Sequence, residues 1–143
     1  MSVIQFQLHT LGGTKFSDDV YEVTLPTPDG EISILPEHMP LISVASHGVV
    51  YVRRKADDRD DQRETFAISG GVIQIENNQL SLLVDEADHA DDINEQEVQK
   101  AYELAKKMKL EAKDQVSLEL AESLMDRSAV RLQVAGLKRT KRR

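Results

Sequence analysis

Cysteine is absent from the 143 residues, and so is tryptophan. Without a thiol there is no disulfide, no thiolate metal site and no cysteine nucleophile, which fits a reducing compartment. Aromatic residues make up only 4%, fewer than a surface built to stack nucleobases would carry. Long apolar runs are missing too. The longest nearly charge-free stretch, residues 39–52, is interrupted by Pro40, His47 and Gly48 and falls far short of the ~20 apolar residues of a spanning helix. Membrane association is therefore expected only through a protein partner or a surface contact. The first ten residues contain no basic region followed by an apolar run, so they do not read as a signal peptide.

Positive charge is scarce in the first part of the chain. Residues 1–86 carry 6 Lys or Arg against 14 Asp or Glu, whereas residues 87–143 carry 12 against 11. An acidic body argues against nucleic acid as a partner. The last seven residues hold five cations and no acid, a tail able to meet an acidic partner or simply remain solvated.

Apolar residues change their period near residue 86. Before it they alternate or form short runs, as Ile4, Phe6 and Leu8 do, which is the mark of strands with one buried face. Eight strands are expected, at residues 3–8, 20–25, 31–35, 41–46, 49–54, 64–69, 72–76 and 79–84. Asn77 and Asn78 form a two-residue turn that tolerates positive φ. Residues 55–62 form a long charged hairpin tip. Strands this short and this closely spaced imply an antiparallel sandwich or flattened barrel.

After residue 86 the period is helical. Asn94 is a good N-cap, Glu97 completes a capping-box pattern, and Ile93 with Val98 has the spacing of a hydrophobic staple. Val98, Ala101, Ala105, Met108 and Ala112 share one face of a helix over about 95–112. In the next segment Leu118, Ala121, Met125, Ser128, Leu132 and Ala135 share a face, and Gly136 is a candidate C-terminal cap. Asp114 or Ser117 could cap this second helix and force a turn; alternatively the chain runs through as one helix. The seams are rich in Ala and Ser, which bury little area, so the hairpin is expected to be weakly held. The fold class expected is α+β, an antiparallel β-sandwich over 1–86 followed by a two-helix hairpin with a basic tail over 87–143.

No catalytic constellation assembles from these residues. The four histidines lack the paired spacing of a helix-borne metal site. His38 stands alone in a Pro-flanked loop, where a packing or hydrogen-bonding role outweighs general-base work. Ser69, Gly70 and Gly71 lack the glycine spacing, lysine and following helix of a phosphate loop, and read as an inter-strand turn. The acidic run around Arg59 lacks the central glycine and terminal glutamate of a calcium loop. Arg127 and Arg131, four apart on one helix face, could hold a phosphate or pair with Asp126 or with acids of the first helix. Neither a catalytic residue nor a metal nor a cofactor is expected. The reading that remains is an interaction protein.

Residues 29–42 contain Gly30, Glu31, Ile34, Pro36, His38, Pro40 and Leu41 in the order of the pattern G-E-x-G-I-x-P-x-H-x-P-L, with Ser33 in place of its second glycine. This resembles the signature loop of the epsilon subunits of bacterial F-type ATP synthases. Residues 66–75, an apolar strand, Ser69-Gly70-Gly71 and another strand, resemble the family's second signature, and the likeness extends over nearly the whole chain. It implies a ten-stranded sandwich followed by two helices, in a non-catalytic central-stalk rotor subunit. It implies binding of the gamma subunit by the sandwich, contact of the loop bearing Glu31, His38 and Pro40 with the c-ring, and a hairpin that folds on the sandwich or extends toward the catalytic beta subunits to block hydrolysis. It implies a peripheral position on the cytoplasmic face of the bacterial plasma membrane, reached only through the complex. Some members bind ATP on the hairpin, through an I/L-D-x-x-R-A pattern and arginines of the second helix. Arg127 and Arg131 match those arginines, while Asn94, Glu97 and Val98 replace the Asp, Arg and Ala. A carboxylate at 97 repels phosphate, so tight ATP binding is not expected. An ATP-sensing hairpin module is the alternative reading, and a chaperone-like hairpin protein is a third that the two signatures oppose.

Overall fold

Alternation of inward and outward side chains builds two sheets of five strands each, seen in a computed structural model that describes the backbone of residues 2–141 and the side chains of residues 2–137. The strands are β1 (Ile4–Thr10), β2 (Gly13–Val20), β3 (Glu22–Thr27), β4 (Gly30–Ile34), β5 (Leu41–Ala45), β6 (Gly48–Arg53), β7 (Glu64–Ile68), β8 (Gly71–Glu76), β9 (Gln79–Val84) and β10 (Ala87–His89). The first sheet runs β2-β1-β9-β8-β5 and the second β10-β7-β6-β3-β4. All neighbours are antiparallel except β1, which lies parallel to β9.

Ten strands form where the residue pattern alone indicates eight, in agreement with the family resemblance. The two extra ones have a plain physical cause. Along β2 only Phe16 and Val20 turn inward and the other residues are exposed, so there is no alternation to read. β10 is only three residues long and is held by its pairing with β7. It also continues the second sheet past residue 86.

The core between the sheets is apolar. Phe6, Leu8, Ile73, Ile75, Leu80 and Leu82 of the first sheet meet Val23, Leu25, Val50, Val52, Phe66 and Ile68 of the second. At about 1.5–3 kcal/mol for each fully buried large side chain, this is the firmest part of the molecule. Asn77 and Asn78 adopt φ of 52° and 58° in the β8–β9 turn, as a type I′ hairpin requires. A Cβ on Gly71 would lie 2.0 Å from the Leu83 carbonyl oxygen, so the strand pairing there leaves room for glycine alone. The charged tip between β6 and β7 is more ordered than a bare solvated loop. A 3₁₀ turn at Asp60–Gln62 has Arg59 N–H bonded to the Gln62 side chain, and Arg53 bridges Glu22 and Asp60. That guanidinium holds the exposed Asp60 carboxyl below its ordinary value.

Two helices follow, α1 (Glu95–Glu111) and α2 (Gln115–Lys141). The Asn94 side chain accepts from Glu97 N–H, one arm of the expected capping pattern. Of the two alternatives at the junction, the chain turns. Asp114 caps α2 by accepting from Ser117 N–H at 2.7 Å, which also lowers its pKa. Gly136 does not end α2, because Val134 and Leu137 pack onto the sandwich and carry the helix past it. Ala105 of α1 and Ala121, Ser128 and Ala135 of α2 are buried, whereas Ala101 is exposed. The five cations expected at the chain's end lie outside the described side chains.

Candidate functional site

The outward-facing residues of the two sheets differ in what covers them. On the second sheet, Val49 and Tyr51 of β6 and Ala67 of β7 point away from the core. With Ala90 they meet Val134 of α2, and Ile93, Val130 and Leu137 pack around the cluster. The hairpin thus lies folded against this face. Burial pushes the Tyr51 hydroxyl up in pKa, and the Arg63 guanidinium stacks over its ring at 4.4 Å.

On the first sheet the outer face is bare. Ile42 and Val44 of β5 are 74% and 58% exposed, and Val72 and Leu83 are about half exposed. The register places Val44 opposite Val72, and Val72 opposite Leu83. The four therefore form one apolar patch across β5, β8 and β9. An open concavity of about 420 Å³ beside it is lined by Pro40, Leu41, Ile42, Gln74, Ile75 and Glu76.

The loop joining β4 to β5 borders this patch, since both are edge strands on the same side of the sandwich. Glu31 lies exposed on β4, opposite Pro26 of β3. His38 Nδ1 donates to the Met39 carbonyl at 2.7 Å, and Pro40 is exposed directly before β5. Glu37 adopts φ of 65°, a left-handed conformation that costs a non-glycine residue. It is held there by its N–H, which donates to Asn78 Oδ1 at 2.8 Å, while Asn78 Nδ2 donates to the Val3 carbonyl at 2.8 Å. Ser33 needs no glycine conformation, since it sits in regular strand pairing opposite Thr24 with their hydroxyls 3.1 Å apart.

At the opposite side of the sandwich the structure joins two motifs that the sequence leaves separate. Ser69 N–H donates to the Glu86 carbonyl at 3.0 Å, and Glu86 N–H donates to Ser69 Oγ at 2.8 Å. This pair fixes the start of β10. From there the Glu86 carboxylate accepts from Arg131 Nη2 at 2.9 Å and from Arg127 Nη1 at 3.4 Å. Asp88 accepts from Arg131 Nε at 2.8 Å. The arginines therefore pair with the sandwich, not with Asp126 or with acids of α1 as expected. The reason is the docked geometry, which turns their helix face toward β10. Gly70 N–H donates to His47 Nδ1 at 3.3 Å. A cavity of about 240 Å³ between the helices adjoins the cluster, lined in part by Leu104, Met108, Leu124, Arg127 and Arg131.

Glu86 and Asp88 are the residues sequence reasoning missed. A signal for them was present, namely two acids spaced to share one face of a strand and two arginines spaced to share one face of a helix. Glu31, His38 and Pro40 share the β4–β5 side and lie apart from the arginines. Among the described residues no three His, Asp or Glu side chains converge as metal ligands would, and no helix is long and apolar enough to cross a membrane.

Comparison with known proteins adds to this geometry. Residues 3–90 match the family model of the "ATP synthase, Delta/Epsilon chain, beta-sandwich domain". The chain is 32% identical to an ATP synthase epsilon chain of Chloroflexus aggregans over 98% of its own length and 97% of the relative's. It is 40% identical to the chloroplastic ATP synthase epsilon chain of Zygnema circumcarinatum, over 64% of this chain and 65% of that one. Its fold is similar to a chain of the Euglena gracilis mitochondrial ATP synthase, solved with OSCP, F1 and c-ring. The TM-score is 0.78 at 19% identity, covering 94% of this chain and 82% of that one.

Proposed function

Because the chain belongs to the ATP synthase delta/epsilon family, we propose that it is a non-catalytic subunit of the central stalk, coupling the gamma subunit to the c-ring. The observation that carries this reading is the bare patch of Ile42, Val44, Val72 and Leu83. A sandwich that covers one outer face with its own helices and leaves the other apolar is built to dock, and the gamma subunit is the occupant that the family supplies. The β4–β5 loop with His38 and Pro40 borders the patch, and together with Glu31 at the start of β4 it is the part we assign to the polar loops of the c-ring. The hairpin, docked through small side chains, is the element that would extend along gamma toward the catalytic beta subunits and restrain hydrolysis. In a bacterium this puts the chain on the cytoplasmic face of the plasma membrane, held there by the complex.

The test is binding to the gamma subunit and ATP hydrolysis by the reconstituted complex. The double variant Ile42→Asp/Val44→Asp should lower affinity for gamma by at least ~10-fold, since charged groups at the centre of an apolar contact stay desolvated and unpaired. Unchanged affinity would refute the assignment of this face.

A second reading is favoured by one observation, the 240 Å³ cavity beside Arg127 and Arg131, which suits a nucleotide-sensing hairpin. Against it, Glu86 and Asp88 already hold both guanidinium groups. Calorimetric titration with ATP, with Arg127→Ala as control, should yield no heat. Binding that the control abolishes would favour the sensor.

A further inference from the structure

We propose that Arg131 and Arg127 of α2, together with Glu86 and Asp88 of the second sheet, form an electrostatic latch that sets how much of the time the hairpin stays docked. The proposal rests on the reading above in one respect, that the hairpin exchanges between a docked and a released state.

The apolar seam between α2 and the sandwich involves few residues. Val49, Ala67, Ala90 and Val134 are its buried residues, and the larger Tyr51, Ile93, Val130 and Leu137 around them are only partly buried, so area alone gives the docked state a limited advantage. A few charge-assisted hydrogen bonds then weigh heavily in the balance. Arg131 uses Nε and Nη2 on two carboxylates at 2.8 and 2.9 Å, a forked arrangement that fixes direction as well as distance. The side chains of Arg131 and Asp88 are 30% and 35% exposed, so water screens them only in part. The receiving carboxylate is also fixed in advance, because the reciprocal hydrogen bonds of Ser69 and Glu86 hold the strand start that presents it. Arg127 is the weaker half. Its contact is longer, at 3.4 Å, and its Nε is buried without a hydrogen-bond partner. All four groups belong to elements that separate when the hairpin leaves, so the ion pairs exist in the docked state alone.

Two consequences follow from that geometry. The docked fraction should fall as salt rises, over the range in which the screening length shrinks below about 10 Å. It should also depend on the sign pattern of the four charges more than on their identity.

The experiment uses the full isolated chain, whose lack of native cysteine lets Asp29→Cys/Lys113→Cys carry a pair of distance labels. These report the hairpin tip against the β3–β4 turn. Arg131→Gln should lower the docked-to-released ratio by roughly five-fold, and Arg127→Gln by less. Asp88→Asn should act in the same direction, and adding it to Arg131→Gln should lower the ratio by less than the product of the two single effects, because the two side chains share one ion pair. Salt should shift the native ratio and leave Arg131→Gln nearly flat. The latch is overturned if the Asp88→Asn and Arg131→Gln effects simply multiply, if native and Arg131→Gln chains respond alike to salt, or if every variant stays docked. None of those results bears on the rotor reading, which is decided by gamma binding and by hydrolysis in the complex.

Discussion

The two outer faces of the sandwich offer similar surfaces to solvent before the hairpin is considered. Both carry outward apolar side chains, on β6 and β7 of one sheet and on β5, β8 and β9 of the other. One is covered by the chain itself, through Val134 on Val49 and Ala67. The other keeps Ile42 and Val44 in water. The difference lies in the neighbouring polar groups. Beside the covered face stand acids at 86 and 88 that match the arginines of α2. Beside the bare face lies the β4–β5 loop, in which Glu37 and Pro40 are exposed. Apolar area makes both faces adhesive, and charge decides which one the hairpin selects.

The largest expected effect breaks this contrast by placing the same substitution on each face. Val134→Asp puts a carboxylate where the native side chain is fully buried. An uncompensated buried charge costs about 3 kcal/mol or more, so the hairpin should release from the sandwich while the sandwich itself survives. Amide exchange would show this as lost protection along α2 with protection retained at β1 and β9. Val44→Asp, on the bare face, should change the stability of the isolated chain by less than about 0.5 kcal/mol in urea unfolding. Equal losses from both would mean that the first sheet is covered in the isolated chain as well.

A smaller effect sharpens the contrast by loosening the hairpin without touching its docked face. The Asp114 carboxyl is held below its ordinary 3.8 by the Ser117 N–H. A lowered carboxyl pKa stabilises the fold above the unfolded value, and the benefit fades as pH falls from there through the folded value. The start of α2 should therefore hold down to about pH 4 and fray below it. Asp114→Ala should fray it at every pH. Exchange rates at Ser117 and Leu118 report both, and no change in either would remove Asp114 as the cap.

Much of this was legible in the sequence because period and turn chemistry are local. The strands with strict alternation, the Asn77-Asn78 turn and the Asn94 cap follow from neighbours within a few residues. β2 escaped because a largely exposed strand has no alternation, and β10 because three residues carry no period. The outcome at residues 113–117 needed the Asp114 geometry to decide between a turn and a continuous helix. Arg127 and Arg131 were visible as a pair, but their partners lie about forty residues earlier and are brought close only by the folding of the hairpin onto β7 and β10. The Gly136 expectation failed for the same reason, since contacts with the sandwich outweigh a local stop signal.

Asn78 also has a mechanical consequence. Its carboxamide joins the Glu37 amide to the Val3 carbonyl, and its own carbonyl receives the Gln5 N–H. A force applied to the loop at His38 thus reaches β1 and β9 at once, through one rigid side chain, without first straightening the loop. In the rotor role proposed above, low compliance at this loop would favour the passage of torque, and this amide stiffens it.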